Sequence, residues 1–174
     1  MSISFILILS FIITGIWDVV LRLMSENYSS LPNFIQKNFP FIERLQPYFK
    51  YYTTLDAAII AGFIGAMTQG LLLLIPFVRK MLVKGEICSS SNFVANVLIL
   101  MVPTFIVSGA FGFIMKGSKQ YPKLEEYYYD VMSDTYLGIK MNKELVGAMH
   151  DGVSGLIVQI TLILIICSLN LNKK

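Results

Sequence analysis

"LDAAIIAGFIGAMTQGLLLLIPF", Leu55 to Phe77, decides the fold. The stretch holds one charged residue, Asp56, and that lies at its start. A helix needs roughly 20 mainly apolar residues to cross a bilayer, and this block reaches that length. Within it, Ala58, Gly62, Ala66 and Gly70 recur every fourth residue. Such a ridge of small side chains lets a second helix approach closely, so it is expected to be buried against a neighbour. Gln69 falls about midway along the span, where an amide prefers a partner.

Three further blocks have the same character: Ile3–Leu23, Phe93–Met115 and Val146–Leu169. The composition agrees with a chain made chiefly of such segments. It is 55% hydrophobic and 14% charged over 174 residues, against about 25% charged in a soluble domain. The reading is all-α: an integral membrane four-helix bundle, one membrane domain over residues 1–174, with spans at about 3–23, 55–77, 93–115 and 146–169 and no separate soluble domain. The first block lacks a basic leader and is longer than the apolar core of a signal peptide, about 7–15 residues, so it is kept as a span. No internal repeat is visible.

Four spans place both termini and the short connection 78–92 at one membrane face, and the long connections 24–54 and 116–145 at the other. Both long loops are expected to be partly helical and interfacial. In the first, Ile35, Phe39, Ile42, Leu45, Phe49 and Tyr52 form an approximate helical stripe beside Lys37, Arg44 and Lys50, interrupted by Pro40 and Pro47. Such aromatic and basic mixtures suit the headgroup layer, and packing on the other loop is the alternative. In the second, Pro122, Glu125 and Glu126 suit a helix start, with Leu124, Tyr128 and Val131 on one face. The Lys/Arg tally is nine on the long-loop side and five on the other. That favours cytosolic long loops, whereas the dense "RKMLVK" beside the second span argues the reverse, so orientation stays open. Asn27-Tyr28-Ser29 is a glycan acceptor only if its loop is luminal.

Titratable residues gather toward the long-loop face. Asp18 and Arg22 sit in "GIWDVVLRLM", Asp56 opens the second span, and His150 and Asp151 lie early in the fourth. Asp18 and Arg22 stand four apart, acid first, the favourable order for an ion pair on one helix face. They read as an interfacial pair that ends the span. A brace between helices, or part of an ion or proton pathway, are the alternatives. His150 is the only histidine, so a haem held by two histidines of the chain is excluded. A zinc ion would need a carboxylate-rich set such as Asp18, Asp56 and Asp151, and no metal or cofactor is expected. Gln69 and Gln159, at similar depth, are expected to bond each other, or Thr104 or Ser108. Gly147, Asp151, Gly155 and Gln159 share a face of the fourth span, expected to pack inward with the ridge of the second. Pro103 should kink the third. Cys88 and Cys167 lie on different elements and suggest neither a disulfide framework nor a metal site.

No P-loop, G-x-S-x-G, HExxH or selectivity-filter motif is present, and no basic stretch suits nucleic acid. An enzyme is not expected. "WDVVLRLMSENY", "LDAAIIAGFIGAMTQ" and "DGVSGLIVQITL" together resemble uncharacterised multi-pass membrane proteins of large DNA viruses of algae and protists. The resemblance implies a virion inner membrane or host endomembrane as setting, with lipid, other membrane or capsid proteins, or further copies of the chain as partners. The expected function is a non-enzymatic membrane protein that organises or anchors a membrane assembly. The alternatives are a channel or transporter using Asp18, Arg22, Asp56, His150 and Asp151, or an accessory subunit of a larger membrane complex.

Overall fold

The computed structural model describes residues 1–38, 42, 53–89, 91–117, 135–136, 139–140 and 143–171. The protein is all-α. Four helices are long and apolar enough to cross a membrane, and the chain is an integral membrane protein. Helix α1 covers Ile3–Glu26 and is capped by the Ser2 side chain, which accepts from Phe5 N–H. A 3-10 turn, Tyr28–Ser30, leads to the short α2, Asn33–Asn38. Helix α3 covers Thr54–Leu72. Helices α4, Pro76–Val83, and α5, Glu86–Ser89, form the connector. Helix α6 covers Phe93–Gly117, running through Pro103, and α7 covers Lys143–Leu171. The strands β1, Thr135–Tyr136, and β2, Ile139–Lys140, pair antiparallel ahead of α7.

The second span ends earlier than its apolar run. Pro76 has no N–H to continue the ladder and disfavours helical backbone at the residue before it, so Ile75 is extended and Pro76 opens α4. The expected short loop is therefore two helices. They turn at Gly85, whose φ of 71° favours glycine. Lys80 and Glu86 form an ion pair across that turn at 3.1 Å. The remaining stripe of the first long loop and the helix expected around Pro122 lie outside the described residues, apart from Ile42, which is buried.

α1 and α3 pack along most of their length as an antiparallel hairpin, and α6 and α7 form a second. The hairpins meet through α1 on α7 and α3 on α6. The apolar core is thickest toward the connector, where Ile6, Leu72, Leu82, Ile87, Leu100, Leu162 and Ile166 are fully buried. The Met1 amino group donates to Val83 O at 2.8 Å. Cys88 of α5 is disulfide-bonded to Cys167 of α7, with Cα atoms 5.1 Å apart. These contacts fix Met1, the connector and the far end of α7 at the same end of the bundle. They also correct the expectation that the cysteines are unrelated: elements 79 residues apart in sequence are brought together by the fold.

The two hairpins are copies of one packing pattern, where the sequence alone showed no repeat. A Cβ placed on Gly15 would lie 2.9 Å from Ala58 O, and one on Gly109 2.9 Å from Ala148 O. A Cβ on Gly62 would meet the Phe11 ring at 2.9 Å, and one on Gly152 the Phe105 ring at 2.7 Å. A Cβ on Gly65 would overlap the Thr14 side chain, and one on Gly155 that of Ser108. Thus Ser10-Phe11-x-x-Thr14-Gly15 on α1 corresponds to Thr104-Phe105-x-x-Ser108-Gly109 on α6. Ala58, Gly62, Gly65, Gln69 and Leu72 on α3 correspond to Ala148, Gly152, Gly155, Gln159 and Leu162 on α7. Exchanging the hairpins maps the contact of α1 with α7 onto that of α6 with α3. The repeats are therefore parallel, related by a pseudo-two-fold axis along the bundle.

This pattern corrects the phase of the expected ridge. A helix turns 3.6 residues at a time, so steps of four drift about 40° each around the axis. Alternating steps of four and three hold one face, and the seam follows Ala58, Gly62, Gly65 and Gln69. Ala66 lies off it, and a Cβ on Gly70 would meet only Leu7 Cδ2, at an ordinary 3.9 Å. The fourth span likewise uses Ala148, Gly152, Gly155 and Gln159, with Gly155 and Gln159 as expected and Asp151 off the seam. Each face packs on the preceding long helix, and α3 and α7 scarcely meet.

Candidate functional site

Polar side chains inside the bundle concentrate just above the apolar core, at corresponding levels of the two seams. Ser10, Thr68 and Gln69 are buried in the first hairpin, and Thr104, Ser108 and Gln159 in the second. Gln69 and Gln159 are 2% and 1% exposed, at equivalent places in the repeat. Ser10 Oγ donates to Gly65 O across the first seam at 3.1 Å, and Thr14 Oγ1 donates back to Ser10 O at 2.8 Å. The second seam is wired differently. Thr104 Oγ1 donates to Leu100 O in its own helix at 2.8 Å, and Ser108 Oγ is buried without a partner among the described residues. Nε2 of Gln69 and of Gln159 likewise have no partner among them. The expected bonds of these amides to each other or to Thr104 and Ser108 do not form. The two glutamines belong to separate seams, and the Thr104 hydroxyl is taken by its own backbone.

Two of the titratable residues toward the long-loop end have partners close to them in sequence. Asp56 is exposed and caps α3: its N–H donates to Thr53 Oγ1 at 3.1 Å, and Thr53 Oγ1 donates to Asp56 Oδ2 at 2.6 Å. That reciprocal arrangement satisfies the helix start and leaves Asp56 facing outward. Arg22 forms an ion pair with Glu26 at 3.1 Å, again four residues apart. Glu26 lies one turn nearer the membrane face, half exposed, where a charge keeps its hydration. Asp18 is half buried, and its Oδ2 accepts no hydrogen bond among the described residues. The Trp17 indole N–H beside it is also buried and unpartnered there.

Asp18 lies three residues beyond the Gly15–Ala58 contact toward the long-loop end, and Asp151 three residues beyond the Gly109–Ala148 contact toward the connector. Asp151 is half buried and is not without an interaction. His150 belongs to α7, but its side chain lies outside the described residues.

Among the described residues the fully buried polar side chains are neutral: two amides and several hydroxyls within an apolar bundle. Among the described residues no three of His, Cys, Asp and Glu converge in a way that would hold a metal ion. The duplicated glutamines were individually visible in the sequence. Their equivalence was not, because it appears only once the Gly62–Gly65 and Gly152–Gly155 seams are aligned. The chain matches no protein-family model, no curated protein and no solved structure.

Proposed function

We propose that this is a non-enzymatic multi-pass membrane protein that organises or anchors a membrane assembly. The observation that carries the reading is the pair of glycine seams. Each brings two helices into backbone contact along the membrane interior, so the chain forms two tightly locked hairpins joined around a pseudo-two-fold axis. A bundle packed this way suits a rigid platform that holds surface loops in fixed positions. The virion inner membrane or host endomembrane implied by the sequence resemblance is a setting that needs such platforms, with capsid or other membrane proteins, or further copies, as partners.

Crosslinking in native membranes, followed by identification of the crosslinked peptides, tests this. Reproducible crosslinks from residues 30–50 and 118–142 to one protein, or to a second copy, are expected. Their absence, together with a current or solute flux from the purified protein in liposomes, would overturn the proposal. That outcome belongs to a second reading, a channel or transporter. Its support is that Gln69 and Gln159, at equivalent places in the two seams, have amide nitrogens unpartnered among the described residues, and polar groups inside a membrane commonly mark substrate or ion pathways.

A further inference from the structure

The disulfide is an orientation marker. Both of the chain's cysteines are used in it, and it lies at the end of the bundle that carries the connector. Cys88 belongs to α5, just beyond the exposed Lys84 and the Lys80–Glu86 pair. Cys167 lies near the close of α7, ahead of Lys173 and Lys174. Disulfides form and persist in oxidising compartments, whereas cytosolic thiols are kept reduced. The plain tally of basic residues points the same way without reference to the cysteines, against the local density of "RKMLVK" in the connector. Nine Lys and Arg flank the spans at the long-loop end and five at the connector end, and the richer side is ordinarily cytosolic.

We infer that the connector end of the bundle, with Cys88 and Cys167, faces an oxidising, extracytosolic compartment, and that both long loops face the cytosol. The bond then has a mechanical role. It ties the α4–α5 connector, which joins the two hairpins, to the last turns of the second, and so clasps the repeats where the apolar core is thickest. Formation is a two-electron oxidation: the two thiols lose two protons and two electrons to a thiol oxidant of that compartment, and one S–S bond forms. The orientation also restricts partners. Cytosolic proteins would meet the long loops, and extracytosolic ones the connector.

Two measurements on the full-length chain in cell membranes test this. In the first, free thiols are blocked with N-ethylmaleimide under denaturing conditions, and the sample is then reduced and treated with PEG-maleimide. Two PEG additions are expected, appearing only after reduction. Cys88→Ser and Cys167→Ser, each treated with PEG-maleimide without reduction, should gain a single addition. In the second, an N-glycan acceptor tag is appended after Lys174 or inserted within residues 30–50. The appended tag should be glycosylated and the inserted one not. Blocking of both thiols before reduction would overturn the inference. So would a glycan on the loop tag with none on the appended tag, and this second readout does not depend on either serine variant folding.

Discussion

Gly15→Ala and Gly109→Ala should each destabilise the bundle, by similar amounts, while Gly70→Ala should not. In both seam variants the new methyl would sit 2.9 Å from a carbonyl oxygen, of Ala58 or Ala148. That oxygen is backbone, so no side chain can swing away, and the helices must part by about 0.5 Å to restore ordinary contact. A gap of that size forfeits about a quarter of the dispersion well between facing atoms, each pair contributing about 0.1–0.2 kcal/mol. With roughly 20 atom pairs along a seam, the loss is just under 1 kcal/mol, and residual overpacking brings the total to about 1–2 kcal/mol. Alanine normally gains about 1 kcal/mol over glycine in a helix. That gain largely cancels here, because spanning segments remain helical when they separate in lipid. At Gly70 the nearest atom would be Leu7 Cδ2 at 3.9 Å, and the change should stay within about 0.5 kcal/mol. Unfolding of the purified protein in mixed micelles by graded SDS gives the comparison. Equal loss at Gly70 and at the two seam glycines, or no loss at Gly15 and Gly109, would mean that the helices do not pack through these glycines.

Other outcomes follow from the polar groups. Gln69→Leu and Gln159→Leu each remove a buried amide nitrogen without a partner among the described residues, so unfolding should show stability unchanged or raised by up to about 1 kcal/mol; a loss above 2 kcal/mol would show that the amides are bonded. Asp18→Asn removes a half-buried carboxylate whose Oδ2 is unpartnered, and the same assay should again show no loss. Reconstituted bilayers carrying the parent protein should show no current, and a current abolished by Asp18→Asn would favour the transport reading. A double-mutant cycle on Arg22→Gln and Glu26→Gln should return a coupling of about 0.5 kcal/mol or less, since Glu26 is half exposed. Thr53→Ala should cost about 1 kcal/mol through loss of the α3 cap.

The four spans were legible because length and apolar density suffice to identify a membrane helix. Their internal phase was less so. In lipid, Ile, Val, Leu and Phe are nearly interchangeable, so an apolar run does not mark which face packs, and the small residues offered two readings. Ala58, Gly62, Ala66 and Gly70 keep an exact spacing in sequence, while Ala58, Gly62 and Gly65 keep a constant face in space. The repeat was hidden for related reasons. Thr14 is matched by Ser108 and Ile13 by Val107, and the first helices of the hairpins are offset by 94 residues but the second by 90. The charged residues were legible as a group toward one end. Their partners were not, because Arg22 has an acid four residues away on either side. Cys88 with Cys167 could not be read at all, since their meeting depends on how the connector folds back over α7.

The chain is built as a repeated hairpin, α1 with α3 and α6 with α7. Engineered disulfides test this pairing most directly, in a Cys88→Ser, Cys167→Ser background and in native membranes with a mild oxidant. A Cβ at position 15 would lie 3.8 Å from Ala58 Cβ, and one at 109 would lie 3.9 Å from Ala148 Cβ, both within the span of a disulfide, about 3.5–4.5 Å. Rapid bond formation is expected in Gly15→Cys/Ala58→Cys and in Gly109→Cys/Ala148→Cys, and none in the exchanged pairs Gly15→Cys/Ala148→Cys and Gly109→Cys/Ala58→Cys. Bonds in the exchanged pairs, with none in the first two, would contradict this pairing.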